Sequence, residues 1–125
     1  MARILIVDDD ETDRVGLAAI LQQAGHTVLT AADGEEALEL FLAQRVHLVV
    51  TDMVMPGRGG LGLISALREI DPGTEIIAIS GKSKVQLEAS KVFGARKVLA
   101  KPIDRLDLLA AVGEVVDSPE GDGAS

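Results

Sequence analysis

The chain has 125 residues, room for one compact domain and too little for two folded units of ordinary size. Apolar residues make up 47% but aromatic ones only 2%, with two Phe and neither Trp nor Tyr, so the core is aliphatic and stacking on nucleobases is disfavoured. Twelve Lys and Arg against 20 Asp and Glu leave a net charge of −8, which repels a phosphate backbone and argues against direct nucleic-acid binding.

Strand-length aliphatic runs occur at Arg3 to Val7, Thr27 to Ala31, His47 to Thr51, Glu75 to Ile79 and Lys97 to Ala100. Segments with helical periodicity lie between them. In the first, Leu17, Ile20, Leu21 and Ala24 fit one face; in the second, Leu38, Phe41 and Leu42 do so. The third carries Leu63, Ile64 and Leu67 and stops at Asp71-Pro72-Gly73. The fourth holds Val85, Ala89, Val92 and Phe93, and the fifth Leu108, Leu109, Val112 and Val116. Asp33 with Glu36 predicts a capping box, Asp104 a cap on the last helix, and Gly25 and Gly94 left-handed helix ends. Gly57, Gly59, Gly60 and Gly62 read as a loop entering the third helix, without a dinucleotide fingerprint.

Strict alternation of buried strands and helices predicts an α/β fold, a parallel sheet with helices on both faces joined by right-handed crossovers. Residues 2–117 form the expected domain, and 118–125, rich in Ser, Gly and acid, read as a disordered tail. There is no Cys for a disulfide or thiolate zinc site, no run long enough to span a membrane, and no signal-peptide layout, so a cytoplasmic location is the default expectation.

Polar residues gather where strands end. The first strand runs into Asp8-Asp9-Asp10, the third into Asp52, the fourth into Ser80 and the fifth into Lys101-Pro102. Ligands of open α/β sheets bind outside the carboxyl ends of the strands, where strand order reverses. If the strand order is 2-1-3-4-5, Asp8, Asp9 and Asp52 would share one small volume, with Ser80 and Lys101 across from them. Clustered carboxylates repel, and oxygen-only ligation points to a hard cation, Mg²⁺ better than Ca²⁺. A metal, an ammonium and a hydroxyl are the parts that neutralise a phosphoryl group in transfer, leaving Asp52 as nucleophile. Asp10 reads as a helix-start acid, and His26 and His47 as surface or strand-edge residues.

Val7-Asp8-Asp9, Asp52-Met53-Val54-Met55-Pro56-Gly57, Ser80-Gly81 and Lys101-Pro102, at this spacing, resemble the receiver domain of two-component response regulators. The resemblance implies a flavodoxin-like (βα)5 sandwich and phosphorylation of Asp52 from a phosphohistidine on a sensor histidine kinase or phosphotransfer protein. It implies Mg²⁺ held by Asp9, Asp52 and the Val54 backbone carbonyl, with Asp8 acting through water. Lys101 and Ser80, followed by Gly81, would bind phosphoryl oxygens, and the peptide before Pro102 would be cis. Such a domain assists its own phosphorylation and dephosphorylation but is not an enzyme with a separate substrate. With no output domain encoded, the response would pass in trans to an effector protein through the fourth helix, fifth strand and fifth helix; a homodimer formed on phosphorylation is compatible with this.

Two positions depart from the family pattern. Val98 stands where a switch ring (Tyr, Phe or His) is usual, so signalling would run through residues 80–95 instead, and Gly59 stands where an acid is common. Val54 and Lys82 are the positions expected to influence phosphate lifetime. Asp8-Asp9-Asp10-Glu11-Thr12 also resembles the nucleophile loop of haloacid-dehalogenase-type phosphatases, with Asp8 phosphorylated, but that reading leaves Asp52 idle. A phosphate-independent interaction module is the other alternative.

Overall fold

The computed structural model describes residues 2–53, 59–81 and 94–116. Val54, Lys82, the fourth helical segment with Val85, Ala89, Val92 and Phe93, and the tail at 118–125 lie outside the described residues.

In chain order the elements are β1 (Arg3–Val7), α1 (Glu11–Gln23), β2 (Thr27–Ala31), α2 (Gly34–Ala43), β3 (Leu48–Asp52), α3 (Gly59–Ile70), β4 (Glu75–Ser80), β5 (Lys97–Ala100) and α4 (Arg105–Val116). All strand pairs are parallel, in the order β2-β1-β3-β4-β5. Successive side chains of a strand point to opposite faces, and here both faces are buried. Leu5, Val7, Val49, Ile76 and Ala78 join a core closed by Ala37, Phe41, Leu63, Ile64 and Leu67 of α2 and α3. Ile4, Ile6, Leu48, Val50, Ile77 and Ile79 join a second core closed by Leu17, Leu21, Leu108 and Val112 of α1 and α4. A continuous aliphatic strand is what a two-sided sheet requires.

Helix ends follow local chemistry. Asp10 caps α1 by accepting from the Asp13 N–H at 3.0 Å. Asp33 accepts from the Glu36 N–H at 2.8 Å, while the Glu36 carboxylate accepts from the Ala32 N–H, one residue before the position a capping box uses. Asp104 accepts from the Leu106 N–H at 2.9 Å. Gly25, just past α1, has a φ of 99°, in the region glycine favours; Gly94 has a φ of 123°, and the segment before it lies outside the described residues. Among the described residues, no helix is long and apolar enough to cross a membrane.

Several details differ from the sequence expectation. β3 starts and ends one residue later, so Asp52 is its last residue, while Ser80 ends β4 as expected. Ala24 is the exposed cap of α1, and Ala18 takes a buried place instead. On α2, Ala37 and Phe41 face the core and Leu42 is 68% exposed, because the helix starts at Gly34 and its apolar stripe is set one turn earlier. On α4, Ala111 and Val115 are buried where Leu109 and Val116 are half-buried. Gly59, Gly60 and Gly62 belong to α3 rather than to a loop. The reason is close packing: a Cβ on Gly60 would stand 2.5 Å from Met53 Cα and 2.6 Å from the Asp52 carbonyl oxygen.

Two glycines give a paired test of this packing. Gly60→Ala should destabilise the domain by about 1–3 kcal/mol, since the atoms it meets are backbone and cannot swing aside. Gly113→Ala in α4, with nothing within 4 Å of the added methyl, should stabilise it by about 0.5–1 kcal/mol. Urea midpoints of the two variants read both signs.

Candidate functional site

β1 and β3 are neighbours with Val7 level with Thr51, so the chain leaves β1 at Asp8 beside the point where β3 ends in Asp52. Asp52 is level with Ile79, and Ser80 with Ala100. Three further backbone bonds carry the ladder beyond paired strands: Asp8 N–H to the Ala31 carbonyl at 3.1 Å, Met53 N–H to Ile79 at 2.9 Å and Lys101 N–H to Ser80 at 3.0 Å. The sheet itself therefore fixes where Asp8, Asp52, Ser80 and Lys101 stand.

Asp8, Asp9 and Asp52 each bring one carboxylate oxygen within 4.8 Å of the others, two of the residues buried and Asp9 exposed. The donors are oxygens only, with no imidazole or thiolate in the group. That set suits a hard divalent cation such as Mg²⁺.

The Lys101 ammonium lies among the acids. It donates to Asp13 Oδ2 at 2.9 Å, Asp8 Oδ2 at 3.0 Å and Asp52 Oδ2 at 3.3 Å, which employs all three of its N–H groups. Its stem passes Gly81, where a Cβ would come within 3.1 Å of the Lys101 Cβ; the absent side chain leaves that passage clear. Burial on its own would lower the Lys101 pKa, but the bonds to Asp13 and Asp8 and the charges of Asp52 and Asp8 outweigh it and raise it above the ordinary lysine value. Asp8 is wholly buried. Burial raises its pKa, with the Asp52 charge adding to the effect, against the lowering influence of the Asp10 N–H and Lys101. Both Asp8 oxygens are engaged, Oδ1 by the Asp10 N–H at 2.9 Å and Oδ2 by Lys101. The Asp8 carbonyl also accepts from Arg14 Nη1 at 2.8 Å.

A cavity of about 490 Å³ opens over this edge, lined by Asp9, Asp10, Asp13, Asp52, Ser80, Gly81 and Lys101. Asp52 borders it and Asp8 lies beneath. Asp8, Asp9, Asp52, Ser80, Gly81 and Lys101 thus come together from four strand ends. The Lys101–Pro102 peptide is cis. Val98 sits half-buried on β5, packed against the core under α2 and α3 and away from the cavity lining. Asp13 and Arg14 are contacts that reading the sequence does not single out. Their signal was the spacing, since one turn into a helix that starts at the carboxyl edge returns a side chain over that edge.

The chain matches the family model described as response regulator receiver domain over residues 4–113. It is 37% identical to Protein PilH of Pseudomonas aeruginosa, over 93% of this chain and 98% of that one. It is 35% identical to the probable chemotaxis protein CheY of Rhizobium etli, over 90% and 91%. Among solved structures, a CheY-like response regulator receiver domain protein from Methanospirillum hungatei superposes with a TM-score of 0.91 at 31% identity, covering 98% of this chain and 99% of the other. A five-stranded 2-1-3-4-5 sheet carrying acids, hydroxyl and lysine on its carboxyl edge, matched over nearly its whole length, means that the chain belongs to the receiver domain family of response regulators, the switches of two-component signalling.

Proposed function

We propose that this domain accepts a phosphoryl group on Asp52 from a phosphohistidine of a sensor kinase or phosphotransfer protein and acts as a two-state switch read by an effector in trans. The observation that carries this reading is that the cavity opens on Asp52 while Asp8 lies below it with both oxygens engaged. An Asp52 oxygen would attack phosphorus as the phosphorus–nitrogen bond breaks. The electron pair of that bond leaves with the imidazole, and an acyl phosphate remains. On this reading Lys101 neutralises one phosphoryl oxygen and Ser80 donates to another. The same geometry disfavours a phosphatase whose nucleophile is Asp8.

Asp8, Asp9 and Asp52 fit Mg²⁺ in number and hardness; Asp9 and Asp52 would hold it, with Asp8 acting through water, as the resemblance implies. When bound, the ion would offset charge on the transferring group. The domain's contribution is geometric: Asp52 is held by the β3–β4 ladder and Ser80 by the β4–β5 ladder, and the acids are held together against their repulsion. On this reading the protein works in the cytoplasm, and no separate substrate is turned over. Val98 has no ring to swing inward, so the state of the site would be passed on through the Ser80 end of β4 and the chain that follows.

With Mg²⁺ and a small phosphodonor such as acetyl phosphate, one phosphoryl group per chain should be incorporated, and Asp52→Asn should abolish it while Asp8→Asn slows it. Intact-mass spectrometry reads this, and labelling of Asp52→Asn equal to the parent would defeat the assignment.

A pH experiment follows from Asp8. Its folded pKa is raised, so in metal-free protein the native state binds the proton more readily than the unfolded chain. Stability from this group therefore increases as pH falls through the raised value towards about 3.9. Saturating Mg²⁺ should add about 2.7 kcal/mol at a hundred times its Kd, and this gain should disappear over the same pH window because binding requires the carboxylate. Urea unfolding with and without Mg²⁺, from pH 4 to 7 and repeated on Asp8→Asn, tests both signs.

A further inference from the structure

We propose that Asp13 is a positioning residue for the phosphoacceptor reaction, a latch that holds the Lys101 ammonium towards α1 and competes with phosphoryl oxygens for it. The inference rests on the phosphoacceptor reading above and adds to it a residue that tunes how readily the site loads.

Asp13 makes the shortest of the three Lys101 contacts, 2.9 Å against 3.0 Å to Asp8 and 3.3 Å to Asp52. An ammonium has three N–H groups, so a phosphoryl oxygen gains a bond from Lys101 only when one carboxylate gives it up. Asp8 is wholly buried, and losing its partner there leaves a desolvated charge, whereas the Asp13 side chain is 44% exposed and water replaces the ammonium. Of the two shorter contacts, Asp13 is thus the one released at lower cost. Its backbone is held by its own N–H, bonded to the Asp10 cap at 3.0 Å, so the carboxylate keeps its place over the cavity edge. There it also adds negative charge beside the space an anionic group must enter. Neutralising Asp13 removes the competitor and the repulsion together, and both effects favour the loaded state.

A purely structural role is the alternative: an acid in the first turn of a helix favours the macrodipole. Glu11 occupies the same turn, is exposed and lies outside the cavity lining, so Glu11→Gln reproduces that loss without touching Lys101.

The test uses the full chain with Mg²⁺ and beryllofluoride, a phosphoryl mimic, titrated by calorimetry. Asp13→Asn should bind beryllofluoride on the order of tenfold more tightly than the parent, with the difference shrinking at high salt, while Asp13→Glu stays near the parent and Glu11→Gln is unchanged. In the metal-free protein the ¹H–¹⁵N signal of the Lys101 ammonium should shift in Asp13→Asn and stay in place in Glu11→Gln. Equal affinity of parent and Asp13→Asn, or an equal gain in Glu11→Gln, overturns the latch while leaving the phosphoacceptor reading intact. Absence of metal-dependent binding by the parent overturns that reading and the latch with it.

Discussion

One ammonium facing three carboxylates governs this molecule. A parallel sheet delivers all its strand ends to one edge, so acids following β1 and ending β3 meet whether or not their charges favour it. Burial strengthens the repulsion between Asp8 and Asp52, and Lys101 alone among the described residues donates to both. The balance leaves Asp8 with a raised pKa and Lys101 with all its donors engaged. A site in that condition favours any further positive charge and responds to any added negative one. Both are properties a phosphate-operated switch needs.

The apolar layers make that tension sustainable. Ile4, Ile6, Val50 and Ile79 face one core and Leu5, Val7, Val49 and Ala78 the other, so the strands cannot slip by one residue without inverting both cores. Register thus becomes site geometry: Val7 level with Thr51 and Asp52 level with Ile79 set the acids side by side. The close approach of Gly60 to Met53 and to the Asp52 carbonyl ties the start of α3 to the same strand end. Arg68 on α3 donates to the carbonyls of Pro72 and Gly94, joining that helix to the turn before β4 and the chain entering β5. The β3 end that carries Asp52 is therefore packed closely by α3, while the Asp9 and Asp13 carboxylates beside it remain at least partly in water.

Much of the fold was legible from residue patterns. Aliphatic runs of strand length, helical periodicity between them, and the signals at Asp33, Asp104 and Gly25 are local, and local chemistry acts the same way in most surroundings. What the pattern misplaced was rotational phase and packing distance. Leu42 has the spacing of a core residue but points outward, because the phase of a short helix depends on where its cap seats it. The glycines at 59, 60 and 62 read as a loop, because glycine disfavours helix and only a neighbouring strand shows why it is needed.

The site divides in the same way. Asp8, Asp9, Asp52, Ser80 and Lys101 were identifiable from sequence because each follows or ends a strand and topology alone collects them. The partners of Lys101 were not. Asp13 comes from a different element, 88 positions away in the chain, and its contact depends on how α1 leans over the sheet edge. The sequence by itself determined which chemical groups stand at the carboxyl ends of the strands, since strand limits and side-chain alternation follow from hydrophobic patterning, while the strand order came from the resemblance to the receiver family. Only tertiary structure decided which carboxylates hold the ammonium and which ones line the cavity, because those depend on distances of a few tenths of an ångström between separately positioned elements.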